Sequence, residues 1–156
     1  MTGEKALYDY LKQQQQQPGC PPKLLAADIH DSVYAKFAKD KPTGVRIGDG
    51  SCWPAVGVGG AVKEYDLHFV VVCYAKVQGK EFTERAAARE EAALLAHDVV
   101  AVITQDRSLN TVVCDKTDVR KLQRGFDTAD NGTPYGICEL AIVIDGTGRV
   151  LPSPFN

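Results

Sequence analysis

The last two thirds of this 156-residue chain form one uninterrupted strand, helix, strand, strand pattern, and this order constrains the fold more than any motif. Alternating apolar and polar residues predict a strand over residues 62–77. An apolar stripe at helical spacing predicts a helix over residues 82–106. Two further strands are predicted over residues 111–124 and 134–145. Long elements, joined by loops poor in nucleophiles and metal ligands, favour a protein built to assemble over an enzyme.

The predicted strand over residues 62–77 is longer than a domain of this size needs. At about 3.3 Å per residue it would span roughly 50 Å, so we expect one end to project beyond the core. A projecting hairpin of this kind favours contact with a partner subunit. One face of the strand carries Tyr65, Leu67, Phe69, Val71, Cys73, Ala75 and Val77.

The predicted helix carries a buried stripe and a charged face. The stripe consists of Ala88, Ala92, Leu95, Val99 and Val102, and its small alanines let the helix lie close to a sheet. Thr83 is predicted to cap the helix, and Glu84 in the first turn suits the positive end of the helix dipole. We interpret Arg85, Arg89 and Glu90 as part of a solvated charged face.

The first forty residues are the least regular part of the chain. Apolar residues at helical spacing predict a short helix over residues 4–17. Pro18 and the prolines after it end this helix, because proline removes a main-chain donor. Residues 23–41 fit both a helix and a strand. We favour a helix at the start and leave the conformation of residues 30–41 open.

Short strands over residues 44–47 and 54–58 complete the predicted elements. Together they predict an α+β fold: a mixed, mainly antiparallel sheet with the long helix packed on one face and a short N-terminal helix. A chain with 44% hydrophobic content buries one ordinary core, so we expect a single domain over residues 1–156. Within it, residues 1–22 form the N-terminal helix and a Pro-rich connector, and residues 146–156 form an extended tail.

The charge balance excludes a global basic surface. Eighteen lysines and arginines face twenty acidic residues, for a formal net charge of −2, so no strong field holds nucleic acid by counterion release. No apolar run approaches the roughly 20 residues that cross a bilayer, and the N-terminus lacks the apolar region of a secretory signal. We therefore expect a soluble protein made in a cytoplasm, with no membrane partner.

Cysteine and glycine spacing gives no support for a metal or cofactor site. The five cysteines are widely spaced without a C-x-x-C pair, which disfavours a disulfide framework and a closed zinc site. Cys73, Cys114 and Cys138 lie in apolar strand sequence and are interpreted as small buried hydrophobes. The glycines of residues 57–60 lack the spacing of a phosphate-binding loop. We predict neither a metal nor a cofactor.

Enzymatic chemistry is the alternative from another class. The candidate side chains are His30, His68, His97, Asp28, Asp31, Asp66 and Asp98. His30 lies between Asp28 and Asp31, and His68 follows Asp66 by two residues on the same strand face. Side chains of these types carry acid-base and metal chemistry, yet none of them forms a motif such as H-E-x-x-H. A small enzyme that uses His and Asp chemistry is therefore the weaker alternative.

A charged stretch over residues 115–124 and a polar loop over residues 126–133 are the candidate contact surface. The two faces of the charged stretch are poorly distinguished, which is typical of an edge strand or an extended arm. The core of a monomer has little use for such a segment, so we expect it at an interface between proteins. The candidate interface residues are Lys116, Asp118, Arg120, Arg124, Phe126 and Asp127.

The order of elements, taken with three short segments, resembles a known family. The segments are YAKV at residues 74–77, DRSL at residues 106–109 and YGICELAIVID at residues 135–145. Over about residues 7–145 the chain is similar to the tail terminator, or tail completion, proteins of long-tailed bacteriophages. These are small α+β proteins that form a ring, usually hexameric, at the head-proximal end of the tail tube.

The resemblance implies a structural role in a virion, assembled in the host cytoplasm. The ring would end tail polymerisation and provide the surface on which the filled head docks. Its implied partners are further copies of itself, the tail tube protein and a head-side connector protein, with DNA passing through the lumen without specific binding. The six candidate interface residues would then contact a neighbouring subunit or the tail tube. Another phage neck or head-tail connector protein is the alternative within this class.

Overall fold

The computed structural model describes residues 3–30, 41–48, 51–56, 62–111, 116–129 and 132–145, with residues 51–56 and 62–65 described by their backbone alone. Within these ranges the elements, in chain order, are α1 (Gly3–Gln15), α2 (Pro22–Ala26), β1 (Asp28–His30), β2 (Thr43–Ile47), β3 (Ser51–Val56), β4 (Val62–Lys76), α3 (Phe82–Gln105), β5 (Lys116–Thr128) and β6 (Pro134–Asp145). The predicted α+β class is confirmed. No helix in the described ranges has both the length and the apolar character to cross a bilayer.

The described strands form one mixed sheet in the order β1, β2, β4, β6, β5. β1 runs parallel to β2, and every other pairing is antiparallel. β3 pairs with β4 on the same side as β2, further along the strand, so β2 and β3 share one edge of β4. β6 lies between β4 and β5, as its apolar residues on both faces predict.

β4 extends beyond the strand that it shares with the core. β6 pairs with residues 67–76 of β4, whereas residues 62–66 pair with β3 alone among the described strands. At about 3.3 Å per residue these five residues reach roughly 17 Å past the end of β6. The predicted projection is confirmed, and we call residues 53–56 of β3 with residues 62–66 of β4 the arm.

The core lies between the sheet and the two longer helices. The predicted stripe of α3 is buried, and it packs against alternate residues of β4 and β6 and against α1. Gly136 of β6 lies under the main chain of α3 at Ala88 and Arg89, where a β-carbon would collide. Near the C-terminal end of α3, the Tyr10 hydroxyl donates a hydrogen bond to the Val102 carbonyl oxygen at 2.5 Å, which joins α1 to α3.

Predictions about the ends of three elements were wrong. β3 begins at Ser51 and not at residue 54, because Ser51, Cys52 and Trp53 pair with β4. The cap of α3 is Glu81 and not Thr83, because the Glu84 carboxylate accepts the main-chain N–H of Glu81 at 2.5 Å and fixes the first turn there. The strand predicted over residues 111–124 is β5, which begins at Lys116 and continues through Phe126 to Thr128. The hairpin ladder continues because Asp127 and Thr128 pair with the first residues of β6.

The prediction for residues 23–41 is confirmed at its start. α2 begins at Pro22, and β1 follows it as a strand because Asp28, Ile29 and His30 align in parallel with β2. The undecided residues 31–40, the first residues 112–115 of the predicted strand and the predicted tail of residues 146–156 lie outside the described residues.

Two of the strand cysteines behave as predicted. Cys73 and Cys138 are fully buried and face each other across β4 and β6, and both are free thiols. Burial raises the pKa of each thiol, most strongly for Cys73, so both stay protonated at neutral pH. They are core residues and not nucleophiles. Cys114 lies outside the described residues.

Candidate interaction surface

β5 is an end strand of the sheet with most of its outer edge open. Among the described residues, another segment covers that edge at its start: Thr117 donates its N–H to the Arg107 carbonyl oxygen at 2.9 Å, and Arg107 Nε donates to the Thr117 carbonyl oxygen at 3.2 Å. In the described part of the chain, no other main-chain group bonds to the outer edge of β5 over residues 118–128. Such an edge can accept a strand from another chain.

A β-bulge at Arg120 explains why the faces of this strand are hard to distinguish in the sequence. Before it, Thr117 and Val119 lie opposite Ile144 and Ile142 of β6, on the face that α3 covers. The register shifts between Val119 and Lys121. After the shift the even-numbered residues take this face, and they are Leu122, Arg124, Phe126 and Thr128.

Three basic side chains surround one carboxylate at the start of β5. Asp118 is paired with Arg107, with Lys116 Nζ at 3.6 Å and with Arg120 Nη2 at 3.7 Å. The Asp118 side chain is 14% exposed, whereas its three partners are about half exposed or more. This group, which we call the Asp118 cluster, therefore presents an excess of positive charge next to the open edge.

A shallow groove runs between the C-terminal half of α3 and the start of β5. Its volume is about 300 Å³, and it is lined by Val100, Ile103, Thr104, Arg107, Thr117, Asp118 and Val119. The Thr117 hydroxyl is buried there and has no hydrogen-bond partner among the described residues. A strand added to β5 would lie beside this groove, which has room for a small side chain of that strand.

The other end of β5 combines aromatic and arginine side chains. The guanidinium carbons of Arg85 and Arg89 lie 5.5 and 5.3 Å from the centre of the Phe126 ring, and Phe126 is 44% exposed. Phe82, one turn before Arg85 on α3, is 83% exposed. We call Phe82, Arg85, Arg89 and Phe126 the Phe126 patch. Beside it, Arg124 Nη1 lies 3.6 Å from Glu90 Oε2.

The structure divides the six candidate interface residues between these two ends. Lys116, Asp118 and Arg120 meet in the Asp118 cluster, and Arg124 and Phe126 lie at the opposite end. Asp127 belongs to neither group, since its carboxylate accepts the N–H of Thr128 at 2.8 Å. That all six contact another protein stays a prediction.

Sequence reasoning missed four neighbours of these residues, which are Arg107, Arg85, Arg89 and Phe82. The spacing of Phe82, Arg85 and Arg89 at positions i, i+3 and i+7 was a usable signal, because residues with this spacing share one helix face. The solvated-face interpretation placed the arginines correctly but overlooked the ring of Phe126 beneath them.

Two of the residues proposed for His and Asp chemistry, His30 and Asp28, belong to a small polar group on the sheet face opposite α3. His30 Nε2 lies 2.9 Å from Asp28 Oδ2 and 3.0 Å from the Tyr74 hydroxyl, and the Tyr74 ring lies across Gly44. Tyr135 meets the Tyr74 ring edge-on, with 5.6 Å between ring centres. Burial raises the pKa of the Tyr135 hydroxyl, so this group stays protonated at neutral pH.

The polar group formed by Asp28, His30 and Tyr74 has a structural explanation. Tyr74 is fully buried, and its hydroxyl bonds to His30 at the point where β1 and β2 meet β4. His97 is exposed on α3, on the other side of the sheet, and Asp31 lies outside the described residues. In the ranges that the structure describes, no three His, Cys, Asp or Glu side chains gather as a metal site requires.

Comparison with known proteins shows a similarity of fold but no match in sequence. No protein-family model matches the chain, and no curated protein matches it. Among solved structures, the fold is similar to that of a chain from the virion of a native gene transfer agent (GTA) particle. The two chains are 13% identical and superpose with a TM-score of 0.50, over 94% of this chain and 96% of that chain. At this identity the similarity concerns the fold.

Proposed function

We propose that this chain is a virion structural protein that forms a ring at the head-proximal end of a phage tail tube, ends tail polymerisation and provides the surface on which the head docks. The observation that carries the proposal is the presence of two unlike strand surfaces at opposite edges of one sheet. The arm projects on the β2 and β3 side of β4, and the open edge of β5 lies on the other side.

Two unlike surfaces on one subunit are what a ring requires. A head-to-tail contact joins surface A of one copy to surface B of the next, and it closes when the rotation per copy divides the circle. In the proposed contact, the arm of one subunit lies along the β5 edge of its neighbour and forms main-chain hydrogen bonds with it. The Asp118 cluster, Arg124, Phe126 and Asp127 flank this edge.

The similarity to a gene transfer agent virion chain supports a place in a phage-like particle. The proposed partners are further copies of the chain, the tail tube protein and a head-side connector protein. A formal net charge of −2 suits a lumen through which DNA slides without specific binding. The role needs no catalysis and no cofactor. Another neck or head-tail connector protein presents similar surfaces and is the alternative.

Charge reversal on β5 tests the subunit contact. The variant carries Arg120→Glu and Arg124→Glu, which are 61% and 53% exposed and pair with Asp118 and Glu90 within the same chain. Because exposed ion pairs are weak, we expect the double variant to lose less than about 1 kcal/mol of stability. We expect the ring to dissociate, since the arm of the neighbour carries Glu64 and Asp66, and the new glutamates would add like charge to the contact. Native mass spectrometry and a thermal melt measure the two effects.

A matched control places the same charge change elsewhere, with Lys12→Glu on α1 and Lys41→Glu before β2, both exposed lysines. The control is expected to keep the ring. In a phage that lacks the gene, the Arg120 and Arg124 variant should yield filled heads with unjoined, overlong tails. Infectious particles of normal yield from that variant would remove β5 from the interface.

A further inference from the structure

We propose that the Phe126 patch is a docking site for an acidic segment of a different protein, which offers an apolar pocket to Phe82 and carboxylates to Arg85 and Arg89. The patch lies at the far end of β5 from the Asp118 cluster, because Phe126 follows Asp118 by eight residues, or roughly 26 Å along the strand. The proposal rests on the proposed function only in identifying that protein as a tail tube or connector component.

Aromatic exposure is the first observation. Phe82 is 83% exposed and Phe126 is 44% exposed, although both are large apolar side chains on one side of the molecule. Phe82 occupies the first position of α3 and contributes nothing to the core, so a polar residue there would leave core packing unchanged. An exposed aromatic pair next to arginines has the composition of the energetic centre of a protein interface.

The arrangement of the two arginines is the second observation. Both guanidinium groups stack on the Phe126 ring, which restricts their motion before any partner arrives. Within the described residues neither Arg85 nor Arg89 forms an ion pair, whereas Arg107, Arg120 and Arg124 each do. Their donors are therefore available for bidentate bonds to carboxylates.

A protein partner fits the rim of the patch better than nucleic acid. Glu81, Glu84 and Glu90 stand on the same end of α3 as the arginines, so they would repel a phosphate backbone, whose charge is continuous, whereas a protein segment can place carboxylates at Arg85 and Arg89 alone. Duplex DNA also offers no apolar pocket for Phe82. An acidic protein segment can place its carboxylates at the arginines and its apolar side chains at the phenylalanine.

A different protein fits better than a second copy. In the proposed ring the arm bonds to the main-chain edge of β5, whereas the Phe126 side chain lies on the face of the sheet that α3 covers, so every copy keeps its Phe126 patch after the ring has closed. The patch repeats around the ring, and a partner that binds one copy weakly would bind the whole ring strongly through multiple contacts.

The test measures peptide binding to the full chain by fluorescence anisotropy at low salt. Three labelled probes are compared: a 12-residue peptide of alternating Glu and Leu, the same peptide with Lys for Glu, and a short DNA duplex. We expect the acidic peptide to bind, the basic peptide not to bind, and the duplex to bind more weakly than the acidic peptide. Tighter binding of the duplex, or equal binding of both peptides, would overturn the proposal.

Two variants assign the binding to the patch. One variant carries Arg85→Glu with Arg89→Glu, and the other carries Phe82→Ser. Each is expected to lower the affinity for the acidic peptide by about tenfold or more. The Lys12→Glu and Lys41→Glu control should bind as the natural chain does. Unchanged binding by both patch variants would refute the assignment.

Native mass spectrometry of the same samples tests this proposal separately from the proposed ring. We expect the patch variants to keep the subunit number of the natural chain. A changed subunit number would identify a second copy as the occupant and overturn the proposal. If the natural chain is monomeric but binds the acidic peptide through the patch, the ring proposal is contradicted and the docking proposal stands.

Discussion

Leu95→Asp is expected to lower the free energy of unfolding by about 3–5 kcal/mol, a large part of the stability of an ordinary domain. Leu95 is 1% exposed at the centre of the stripe by which α3 contacts the sheet. The substitution removes apolar packing and places a carboxylate where the described side chains around it are apolar. Urea denaturation followed by circular dichroism measures the loss.

Two further variants make this test decisive. Glu90→Gln on the exposed face of α3 removes only a surface pair with Arg124 at 3.6 Å, so its effect should stay below about 0.5 kcal/mol. If Leu95→Asp does not fold at all, Leu95→Ala gives a measurable value, expected at about 2–4 kcal/mol. Equal losses at Leu95 and Glu90 would contradict the assignment of the two faces of α3.

Gly136→Ala is expected to cost about 2–3 kcal/mol, although alanine favours regular structure more than glycine does. A β-carbon at residue 136 would overlap the main chain of α3 at Ala88 and Arg89, and neither atom group can rotate away. The helix would have to move from the sheet along its N-terminal half, which loosens the packing of the stripe. Urea denaturation again provides the measurement.

Gly125→Ala is the matched control, because Gly125 lies directly opposite Ile137 in the neighbouring strand. There a β-carbon meets only the Ile137 side chain, at ordinary contact distances of 3.7 and 3.9 Å. Its effect should be neutral or slightly stabilising, within about 0.5 kcal/mol. If Gly136→Ala were as stable as Gly125→Ala, α3 would not lie against β6 as described.

The central elements were predictable because burial imposes a regular pattern on them. β4 alternates with period two, and α3 carries its apolar residues at spacings of three and four, so both were predicted within one residue at each end. β6 is apolar on both faces because it lies between two strands and under a helix, and its ends at Pro134 and Asp145 match the prediction.

The end strand was less predictable because burial constrains it less. A solvent-exposed edge tolerates charge on both faces, and the bulge at Arg120 reverses the side-chain alternation halfway along. The alternation is lost after this reversal, which is why the predicted strand stopped at residue 124 and Phe126 was assigned to a loop. The cap of α3 was missed for a similar reason, since Glu81 is not a typical capping residue and the bond comes from Glu84.

The contacts within the candidate surface could not be predicted from the sequence, because they join residues that are distant along the chain. Arg107 and Asp118 are eleven residues apart, and Phe126 is more than thirty residues from Arg85 and Arg89. Contacts at such distances depend on how α3 lies across the sheet, which a single sequence does not specify. The sequence identified β5 as unusual, and the structure shows which side chains of α3 it meets.

Native mass spectrometry of the purified chain at micromolar concentration tests the central claim most directly. A subunit with an arm on one side of its sheet and an open edge on the other should close into a ring. The expected result is a single oligomer at a whole multiple of 16.9 kDa, with six copies anticipated, that falls apart in the Arg120→Glu and Arg124→Glu variant. A stable monomer of 16.9 kDa at that concentration would contradict the account.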